Sequence, residues 1–436
     1  MEELMKSSHP SRRAFMKTAA AAASLGGVIP STVFGANDRI NIGVIGAGGM
    51  GTGHLRGLVE RTEEDNIRVP AVCDVYQRRL SQAKDICKGE GYLDYRKLLD
   101  RKDIDMVLIA TPDHWHSKLC IEAMDAGKHV YCEKPLTLNA EQAIEVRNAV
   151  RRYGKKLQVG PQRTSQDKYW NAQKIIRDGR IGEVSWAQGS WNRNERVSGA
   201  FGTTGALDGT VGPGMTGEDY IDWDMWLGHQ WGLAPKVPFN PRRFFYFRGF
   251  FDYNGGVATD LLYHFLAPLL LAIVGENGAY PKRVTGNGGL YLNKDGREVP
   301  DVFVMTVDYP QNFTVSLESV LTNEFEHPVR IYGRNGALEI FESNEDLDMF
   351  GCANYMDKFM EKNGGYEKLT VHSEFVGGSP KDMEKNLFAA IRTGEKLFCN
   401  VDLGASTMVA IKMGVESYRR SKTLLWDAEK EQIKEG

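Results

Sequence analysis

Two groups of side chains in this sequence are suited to proton transfer. One is Lys134, in Glu133-Lys134-Pro135 directly after a short strand-like run, and the other is Asp260 with His264 four residues later. On a helix, that spacing puts both side chains on one face, where the carboxylate can orient the imidazole and the imidazole can exchange a proton. A strand-end lysine whose pKa is lowered in a closed crevice can relay the proton of a hydroxyl. Spacing alone equally fits a helix cap followed by a core histidine, and a lysine held in a surface turn.

A glycine-rich loop precedes both groups and is typical of nucleotide binding. Gly46-Ala47-Gly48-Gly49-Met50-Gly51 follows the apolar run 39–45 and opens a helical pattern. In this order the first glycine makes the turn, the second lets the backbone approach a pyrophosphate, and the third lets helix and strand pack closely. The phosphates then lie at a helix N-terminus, which favours anions. We therefore expect a dinucleotide to contact Gly46, Gly48, Gly49, Met50 and Gly51.

The identity of the dinucleotide depends on the end of the next apolar run, residues 67–75. Asp74 lies 23 residues after Gly51, close to the spacing of about 20 expected of the acid that binds the ribose hydroxyls. A carboxylate there repels a 2′-phosphate, so Asp74 favours NAD. Arg78 and Arg79 follow at once, and they fit either a phosphate site or the solvated face of a helix, so NADP stays open.

Strand-like and helix-like runs alternate from residue 37 to residue 160. This alternation predicts a parallel, doubly wound sheet, that is, an N-terminal Rossmann dinucleotide-binding domain of the α/β class. Ligands of such sheets bind at the carboxyl ends of the strands. The loops 46–51, 111–116 and 133–135 all follow strands, so we expect them to line one crevice.

The stretch Ala126-Gly127-Lys128-His129-Val130, followed by Glu133-Lys134-Pro135, resembles the signature of the Gfo/Idh/MocA oxidoreductases, the family of glucose-fructose oxidoreductase and inositol dehydrogenase. The resemblance extends over essentially all of the chain after its leader. It implies that Lys134 lies beside the nicotinamide and the substrate hydroxyl, and that Glu133 also lies beside the nicotinamide. It further implies cofactor contacts from Thr111, Pro112 and His116. The Asp-x-x-x-His pair would supply the catalytic base, His264, and a carboxylate, Asp260, that completes a triad with Lys134.

Residues 161–436 have a different pattern and are expected to form a second domain. Half-buried or alternating runs at 181–191, 281–291, 302–309, 313–319 and 329–332 predict an open, mainly antiparallel sheet with helices on one face, an α+β arrangement. A long helix is expected from residue 402 to residue 420. The resemblance implies that the outer face of such a sheet forms a contact between copies of the chain, so a homo-oligomer is expected.

Four further side chains are candidates for binding the substrate. Arg163 follows the last Rossmann strand, Arg243 and Tyr246 lie in the arginine- and aromatic-rich stretch 241–246, and Tyr263 precedes the candidate base. Aromatic faces with hydrogen-bonding neighbours suit sugar rings, and the same composition suits an ordinary packed loop. An interdomain ion pair is an equally good interpretation of Arg163. Tyr263 points to a different side of its helix from His264, which weakens its case.

Composition argues against several classes of partner. The formal net charge of −3 gives no basic surface for nucleic acid. The six cysteines have no CxxC spacing and no accompanying histidine cluster, so no metal site is expected.

Residues 1–36 are interpreted as a twin-arginine export signal. Ser11-Arg12-Arg13-Ala14-Phe15-Met16-Lys17 is followed by an alanine-rich apolar stretch and by small residues at Gly35 and Ala36. The alternative is an amphipathic N-terminal helix that happens to contain two arginines. The apolar stretch is too short and too weakly apolar for a stable membrane span. We expect a protein exported by the twin-arginine machinery, for instance to the periplasm.

The expected reaction is hydride transfer between NAD(P) and a secondary hydroxyl, and the resemblance implies that this hydroxyl belongs to a sugar, glycoside or cyclitol. Free nicotinamide cofactor is scarce outside the cytoplasm, so an exported enzyme is expected to hold its cofactor tightly and to regenerate it within each cycle. Two alternatives remain. One is a glycoside hydrolase or lyase that oxidises a ring carbon transiently. The presence of Lys134 argues against this alternative. The other is a non-catalytic nucleotide-binding protein.

Overall fold

In the computed structural model, the described residues are 38–194, 207–341, 346–375 and 377–436. The expected export signal, residues 1–36, lies outside them. The described chain forms a six-stranded sheet followed by a ten-stranded sheet. One hydrophobic core runs through both, from Ile40 in the first sheet to Trp426 near the end of the second. The two domains are therefore packed together, and the expected α/β domain followed by an α+β domain is confirmed.

The first sheet is parallel throughout, in the order β3-β2-β1-β4-β5-β6. This order places the turns after β1, β4 and β5 side by side at one edge, as the alternating pattern predicts. The strands are β1 (Ile40–Ile45), β2 (Ile67–Cys73), β3 (Glu90–Tyr92), β4 (Met106–Ile109), β5 (His129–Cys132) and β6 (Leu157–Val159). The helices of this domain are α1 (Gly49–Glu60), α2 (Gln77–Cys87), α3 (Tyr95–Leu99), α4 (Asp113–Asp125) and α5 (Ala140–Tyr153).

The second sheet is mixed, in the order β14-β13-β12-β11-β7-β10-β9-β8-β15-β16. Its pairs are antiparallel except for β7 with β10, which run parallel. The strands are β7 (Val184–Ser190), β8 (Arg283–Gly289), β9 (Val302–Asp308), β10 (Thr314–Val320), β11 (Val329–Gly333), β12 (Gly336–Ile340), β13 (Leu347–Gly351), β14 (Lys368–Val371), β15 (Leu424–Asp427) and β16 (Gln432–Glu435). The five strands expected from the sequence are all present, each within a few residues of its predicted ends.

Helices cover the inner face of this sheet and connect it to the first domain. The long helix predicted from residue 402 is present as α12, and it packs on β8 and on α5 of the Rossmann domain. The helices here are α6 (Asp167–Arg177), α7 (Trp223–Leu227), α8 (Pro241–Phe245), α9 (Tyr263–Val274), α10 (Met356–Lys362), α11 (Pro380–Thr393) and α12 (Val401–Arg420). Among the described residues, no helix is both long and apolar enough to cross a bilayer.

Residues 207–253 form a segment, the covering segment, that folds back over the Rossmann domain. A bridge pairs Tyr76 with Ile221, and the backbone N–H of Asp222 donates to the carbonyl oxygen of Val75 at 2.9 Å. Aromatic side chains of the segment, among them Trp226 and Phe244, form a small second core around Tyr76. The segment thus closes the side of the cleft that lies beyond the end of β2.

Candidate active site

A cleft lies at the carboxyl ends of β1, β2, β4 and β5, between the glycine loop and the covering segment. Ten of the residues expected at the site line it: Gly46, Gly48, Gly49, Met50, Asp74, Thr111, Pro112, Glu133, Lys134 and Asp260. The covering segment and its surroundings add residues that the sequence reasoning did not assign to the site, including Trp226, Phe244, Phe247 and Arg248. The cofactor loop therefore shares one cavity with Lys134 and Asp260, whereas His264 is buried outside that lining.

The glycine loop has the geometry that a pyrophosphate requires. Gly46 has φ of +94°, and a Cβ there would lie 2.6 Å from the carbonyl oxygen of Ala110. A Cβ on Gly51 would lie 1.9 Å from the carbonyl oxygen of Gly46, so this glycine allows α1 to pack on the strand end. Above Gly49 there is open space, at the N-terminus of a twelve-residue helix. The free N–H groups of that helix end would hold the phosphates of a dinucleotide.

Asp74 and Arg79 lie at the ribose end of the cleft. The Asp74 carboxylate accepts hydrogen bonds from the backbone N–H of Ala47 at 2.7 Å and of Tyr76 at 2.8 Å. Burial raises its pKa, against the opposing effect of Arg79. The Arg79 guanidinium lies over the Phe244 ring, 5.1 Å from its centroid. Asp74 is thus fixed where a ribose would lie.

Lys134 is held against Asp260 at the other end of the cleft. Its ammonium donates to Oδ1 of Asp260 at 2.9 Å and to the backbone carbonyl oxygen of the same residue at 3.0 Å. Arg248 donates from Nε to the same Oδ1 at 3.2 Å. Burial alone would raise the pKa of Asp260, but Lys134 and Arg248 outweigh it and hold the pKa far below its usual range. Asp260 is therefore ionised, and two cations share its one charge.

His264 differs from its expected relationship with Asp260. Residues Ala258–Leu262 form a π-helix, and the α-helix α9 begins only at Tyr263. The wider i→i+5 turn removes the alignment of residues four apart, and such turns are common at functional sites. The ring of His264 consequently makes no hydrogen bond to Asp260 or to any other residue in the described ranges. The structure thus shows no hydrogen bond through which Asp260 would orient the imidazole.

The environment of His264 nevertheless suits a base. Its ring packs against that of Trp191 in a T-shaped arrangement, with ring centroids 5.3 Å apart. Burial, together with the positive charges of Lys134 and Arg163, lowers the pKa of the imidazole well below its usual value. The ring is therefore neutral at neutral pH, with a nitrogen lone pair available to accept a proton.

A second carboxyl group, Asp113, lies in the same cleft. It begins α4 directly after Pro112, and its Oδ2 accepts a hydrogen bond from the side-chain amide of Asn254 at 2.8 Å. Burial and the charge of Asp260 raise its pKa to about 7. This group was not singled out in the sequence, although it stands at the carboxyl end of β4, where ligands of such sheets bind.

Glu133 is fixed by a buried charge network behind the cleft. Its Oε1 lies 2.9 Å from Nε2 of His54, and Nδ1 of the same ring lies 2.5 Å from Oε1 of Glu384 in α11. Arg61 pairs with the other oxygen of Glu384. Burial would lower the pKa of His54, but its hydrogen bonds to the two glutamates outweigh that effect and raise the pKa to about 9. The imidazolium thus neutralises Glu133 and connects it to the C-terminal region.

Two family models match the chain in succession. One, described as an oxidoreductase family with an NAD-binding Rossmann fold, matches residues 40–161, and the C-terminal alpha/beta domain of the same family matches residues 213–290. Both matches are to models of the Gfo/Idh/MocA oxidoreductases, and together they cover less than half of the chain. The resemblance drawn from the Glu133-Lys134-Pro135 signature is therefore confirmed, and the cofactor domain is of the NAD-binding kind.

Curated relatives of this chain include inositol dehydrogenases. It is 32% identical over 153 residues to inositol 2-dehydrogenase of Salmonella typhimurium, a match covering 34% of this chain and 45% of the relative. It is 34% identical over 206 residues to inositol 2-dehydrogenase 2 of Saccharopolyspora erythraea, covering 47% and 58%. The chain thus spans about half the length of the curated relatives it matches.

Solved structures share the whole two-domain fold. Levoglucosan dehydrogenase in complex with NADH superposes with a TM-score of 0.63 at 18% identity, covering 91% of this chain and 99% of that one. The WlbA dehydrogenase of Bordetella pertussis, in complex with NADH and UDP-GlcNAcA, gives 0.62 at 16% identity, covering 89% and 99%. At these identities the likeness establishes the fold.

Several side chains that the sequence assigned to the site lie outside the cavity lining. His116 is buried, with its ring nitrogens 2.7 Å from the carbonyl oxygen of Pro135 and 2.8 Å from that of Thr111. It ties the loop after β4 to the loop after β5, so it supports the cofactor loops from behind. Tyr263 is fully buried and donates its hydroxyl to the carbonyl oxygen of Gly404 at 2.7 Å, which makes it a core residue.

The three remaining substrate candidates also lie outside the lining. Arg243 pairs with Asp252 at 3.0 Å and donates to the Tyr253 hydroxyl at 3.2 Å, so its charge is used within the covering segment. Tyr246 caps the end of α8. Arg163 stacks on Phe265 at 4.0 Å from the ring centroid, and its influence on His264 places it at the base side of the cleft. The arginine of the 241–249 stretch that does reach the cavity is Arg248.

Proposed function

We propose that this protein is an exported oxidoreductase that transfers hydride between tightly held NAD and a secondary hydroxyl of a sugar, glycoside or cyclitol. The observation that carries the proposal is the ion pair of Lys134 with Asp260, 2.9 Å long, in the same cleft as the glycine loop and beside a neutral histidine. Each of these groups has a task in the oxidation of an alcohol.

The residues divide the proton chemistry between them. NAD, when bound, accepts or returns the hydride of the carbon that bears the hydroxyl. The neutral imidazole of His264 accepts the hydroxyl proton, and the ammonium of Lys134 stabilises the negative charge that develops on the oxygen. Asp260 holds Lys134 in place, and its carboxylate remains ionised because of the two cations around it. The reverse reaction uses the same groups to protonate a carbonyl oxygen.

The inositol 2-dehydrogenases among the relatives support a polyhydroxylated ring as substrate. Such a ring exposes an apolar face and a hydroxyl rim, and the cleft offers aromatic rings at Trp226 and Phe247 beside charged groups at Lys134 and Arg248. We propose that this end of the cleft holds the ring.

Cofactor retention follows from the covering segment and the proposed export. Backbone and side-chain bonds tie the segment to the Rossmann domain: Trp115 donates its indole N–H to the carbonyl oxygen of Trp226 at 2.7 Å, and Arg78 pairs with Asp208 at 3.0 Å. A nucleotide enclosed in this way would leave slowly. Regeneration then takes place within the cleft, through oxidation of one sugar coupled to reduction of another.

The experiment that tests the proposal is an assay of the released nucleotide. The exported protein is purified, denatured and analysed for NAD and NADH, and the intact protein is given oxidised and reduced sugars without added cofactor. We expect the denatured protein to release a nearly stoichiometric amount of nucleotide. We also expect the intact protein to sustain turnover when an oxidised and a reduced sugar are supplied together. Absence of nucleotide would refute retention, and one turnover followed by arrest would show a plain dehydrogenase. Cleavage of a glycoside instead would show transient ring oxidation followed by elimination.

We also propose that the chain forms a homo-oligomer through the outer face of the ten-stranded sheet. Trp186 and Tyr332 stack there with ring centroids 4.5 Å apart, and Trp186 is 38% exposed. An exposed aromatic pair on a sheet face is suited to a protein contact. Light scattering on the wild type and on Trp186→Glu tests this, and a wild-type monomer would contradict it.

A further inference from the structure

We infer that the substrate carries an anionic group, a carboxylate or a phosphate, which binds Arg248 next to the hydroxyl that reacts. This inference rests on the proposed function and specifies the substrate class. Its basis is the charge balance at the Lys134 end of the cleft and the unused hydrogen-bonding capacity of one arginine.

Arg248 is only partly used by the protein. It follows α8 in the covering segment and lines the cleft beside Lys134 and Asp260. Its Nε donates to Asp260, and its guanidinium lies over the Phe247 ring, 4.6 Å from the centroid. The two terminal nitrogens make no hydrogen bond within the described residues, although they carry four N–H donors. A guanidinium with this free edge is the geometry that binds carboxylate or phosphate in a bidentate manner.

The charges around Arg248 do not balance. Asp260 is the one carboxylate in ion-pair contact with Lys134 and with Arg248 in the described ranges, so two positive charges face one negative charge. Glu133 also lines the cleft, but it is paired with His54 at 2.9 Å and makes no ion pair with Lys134 or Arg248 in the described ranges.

Asp113 offsets the excess only in part. Its raised pKa of about 7 leaves it protonated in a large fraction of molecules at neutral pH. Its Oδ2 also accepts a hydrogen bond from the side-chain amide of Asn254 at 2.8 Å, and it makes no ion pair with Arg248. An anion on the substrate would complete the arrangement by accepting from the free edge of Arg248.

Calorimetry with matched sugars tests the inference. The purified full-length exported protein, saturated with NADH, is titrated with D-glucuronate, D-glucose 6-phosphate and neutral D-glucose. One of the acidic sugars is expected to bind about 10- to 100-fold more tightly than D-glucose, the gain from a charge-assisted pair. A preference for D-glucuronate identifies a carboxylate, and a preference for D-glucose 6-phosphate identifies a phosphate. Equal binding of acidic and neutral sugars, or no binding of the acidic ones, would overturn the inference.

Substitutions test whether Arg248 causes the preference for acidic over neutral sugars. Arg248→Gln should abolish the preference, Arg248→Lys should retain part of it, and Arg243→Gln should leave it intact, because that arginine lies outside the cleft in its own ion pairs. On the wild type, added salt should weaken the binding of the acidic sugar and leave D-glucose unaffected, which tests the inference even if Arg248→Gln fails to fold. An unchanged preference in Arg248→Gln would refute the role of this residue.

Failure of the anion-site inference can be distinguished from failure of the proposed oxidoreductase function. Selective binding of an acidic sugar without hydride transfer would leave the anion site in place and refute the oxidoreductase. Hydride transfer from neutral sugars that is indifferent to Arg248 would support the oxidoreductase and refute the anion site.

Discussion

Two oxygen atoms of Asp260 hold the ammonium of Lys134: Oδ1 lies 2.9 Å from Nζ and the backbone carbonyl oxygen lies 3.0 Å from it. Lys134 lies two residues after the end of the Rossmann strand β5, whereas Asp260 lies in the π-helix of the second domain. The contact therefore joins the two domains at the point where the cofactor and the substrate would meet. A backbone acceptor in addition to the carboxylate fixes the ammonium in position as well as in charge.

Replacing Lys134 by Met should separate catalysis from cofactor binding. Turnover is expected to fall about 100- to 10,000-fold, the usual effect of removing a group that acts on the transferred proton or the developing charge. Affinity for NADH, measured by fluorescence titration, should change only a few-fold, because the glycine loop and Asp74 hold the nucleotide. Parallel loss of both quantities would mean that Lys134 is structural.

The activity should persist at a pH where an ordinary histidine base is already protonated. The base must be neutral to accept a proton, and burial together with Lys134 lowers the pKa of His264. The acidic limb of kcat/KM against pH should therefore lie below the ordinary histidine value of about 6.5. His264→Asn should lower kcat/KM at every pH. If the acidic limb of the wild type lay near the ordinary histidine value, and this limb were absent from His264→Asn, the lowered pKa of His264 would be contradicted.

The buried network at His54 should make stability depend on pH. Its pKa is raised to about 9 in the folded protein, against about 6.5 in the unfolded chain. The stabilisation is thus fully present below pH of about 6.5 and is lost as the pH rises through about 9, with a size on the order of 3 kcal/mol. Denaturant unfolding at several pH values measures it.

His54→Gln is the comparison for this effect, since glutamine cannot be charged. The variant should be less stable than the wild type at low pH, and the difference should shrink as the pH approaches 9. A difference that is constant over the whole range would show that the imidazolium is not the source.

Asp74 should control the choice between NAD and NADP. Its carboxylate is fixed by Ala47 and Tyr76 and would repel a 2′-phosphate, while Arg79 lines the same cavity. Asp74→Ser should weaken NADH binding and shift the NADH-to-NADPH preference toward NADPH by about tenfold or more. Arg78→Ala is the matched control, since Arg78 pairs with Asp208 and Asp219. A preference that moves equally in both variants would contradict this assignment.

The Rossmann domain and its ligand edge were predictable because their signals are local. The strand, glycine loop and helix at 40–60 are consecutive, and the loops bearing Thr111 and Lys134 follow strands of the same sheet. Parallel topology then brings these loops together without further information. The strands of the second domain were predictable for the same reason, because alternation along each strand reveals its buried face.

The parts that were missed depend on contacts between distant segments. Arg248 and Arg243 look alike in the sequence, and only packing decides that Arg248 reaches the cleft. His54 meets a glutamate 330 positions away, Glu384, which no spacing could reveal. The π-helix changes the relationship of Asp260 to His264 although the sequence between them has an ordinary helical pattern.

The most direct test of hydride transfer is to follow carbon-bound deuterium from a sugar into the nucleotide of the protein. The purified protein, loaded with NAD, is mixed with deuterated myo-inositol, D-glucose or D-glucuronate, denatured, and its nucleotide is analysed by mass spectrometry. We predict deuterium in the reduced nucleotide with at least one of these sugars, and a large loss of it in Lys134→Met. Bound nucleotide that acquires no deuterium from any sugar on the panel would contradict the account.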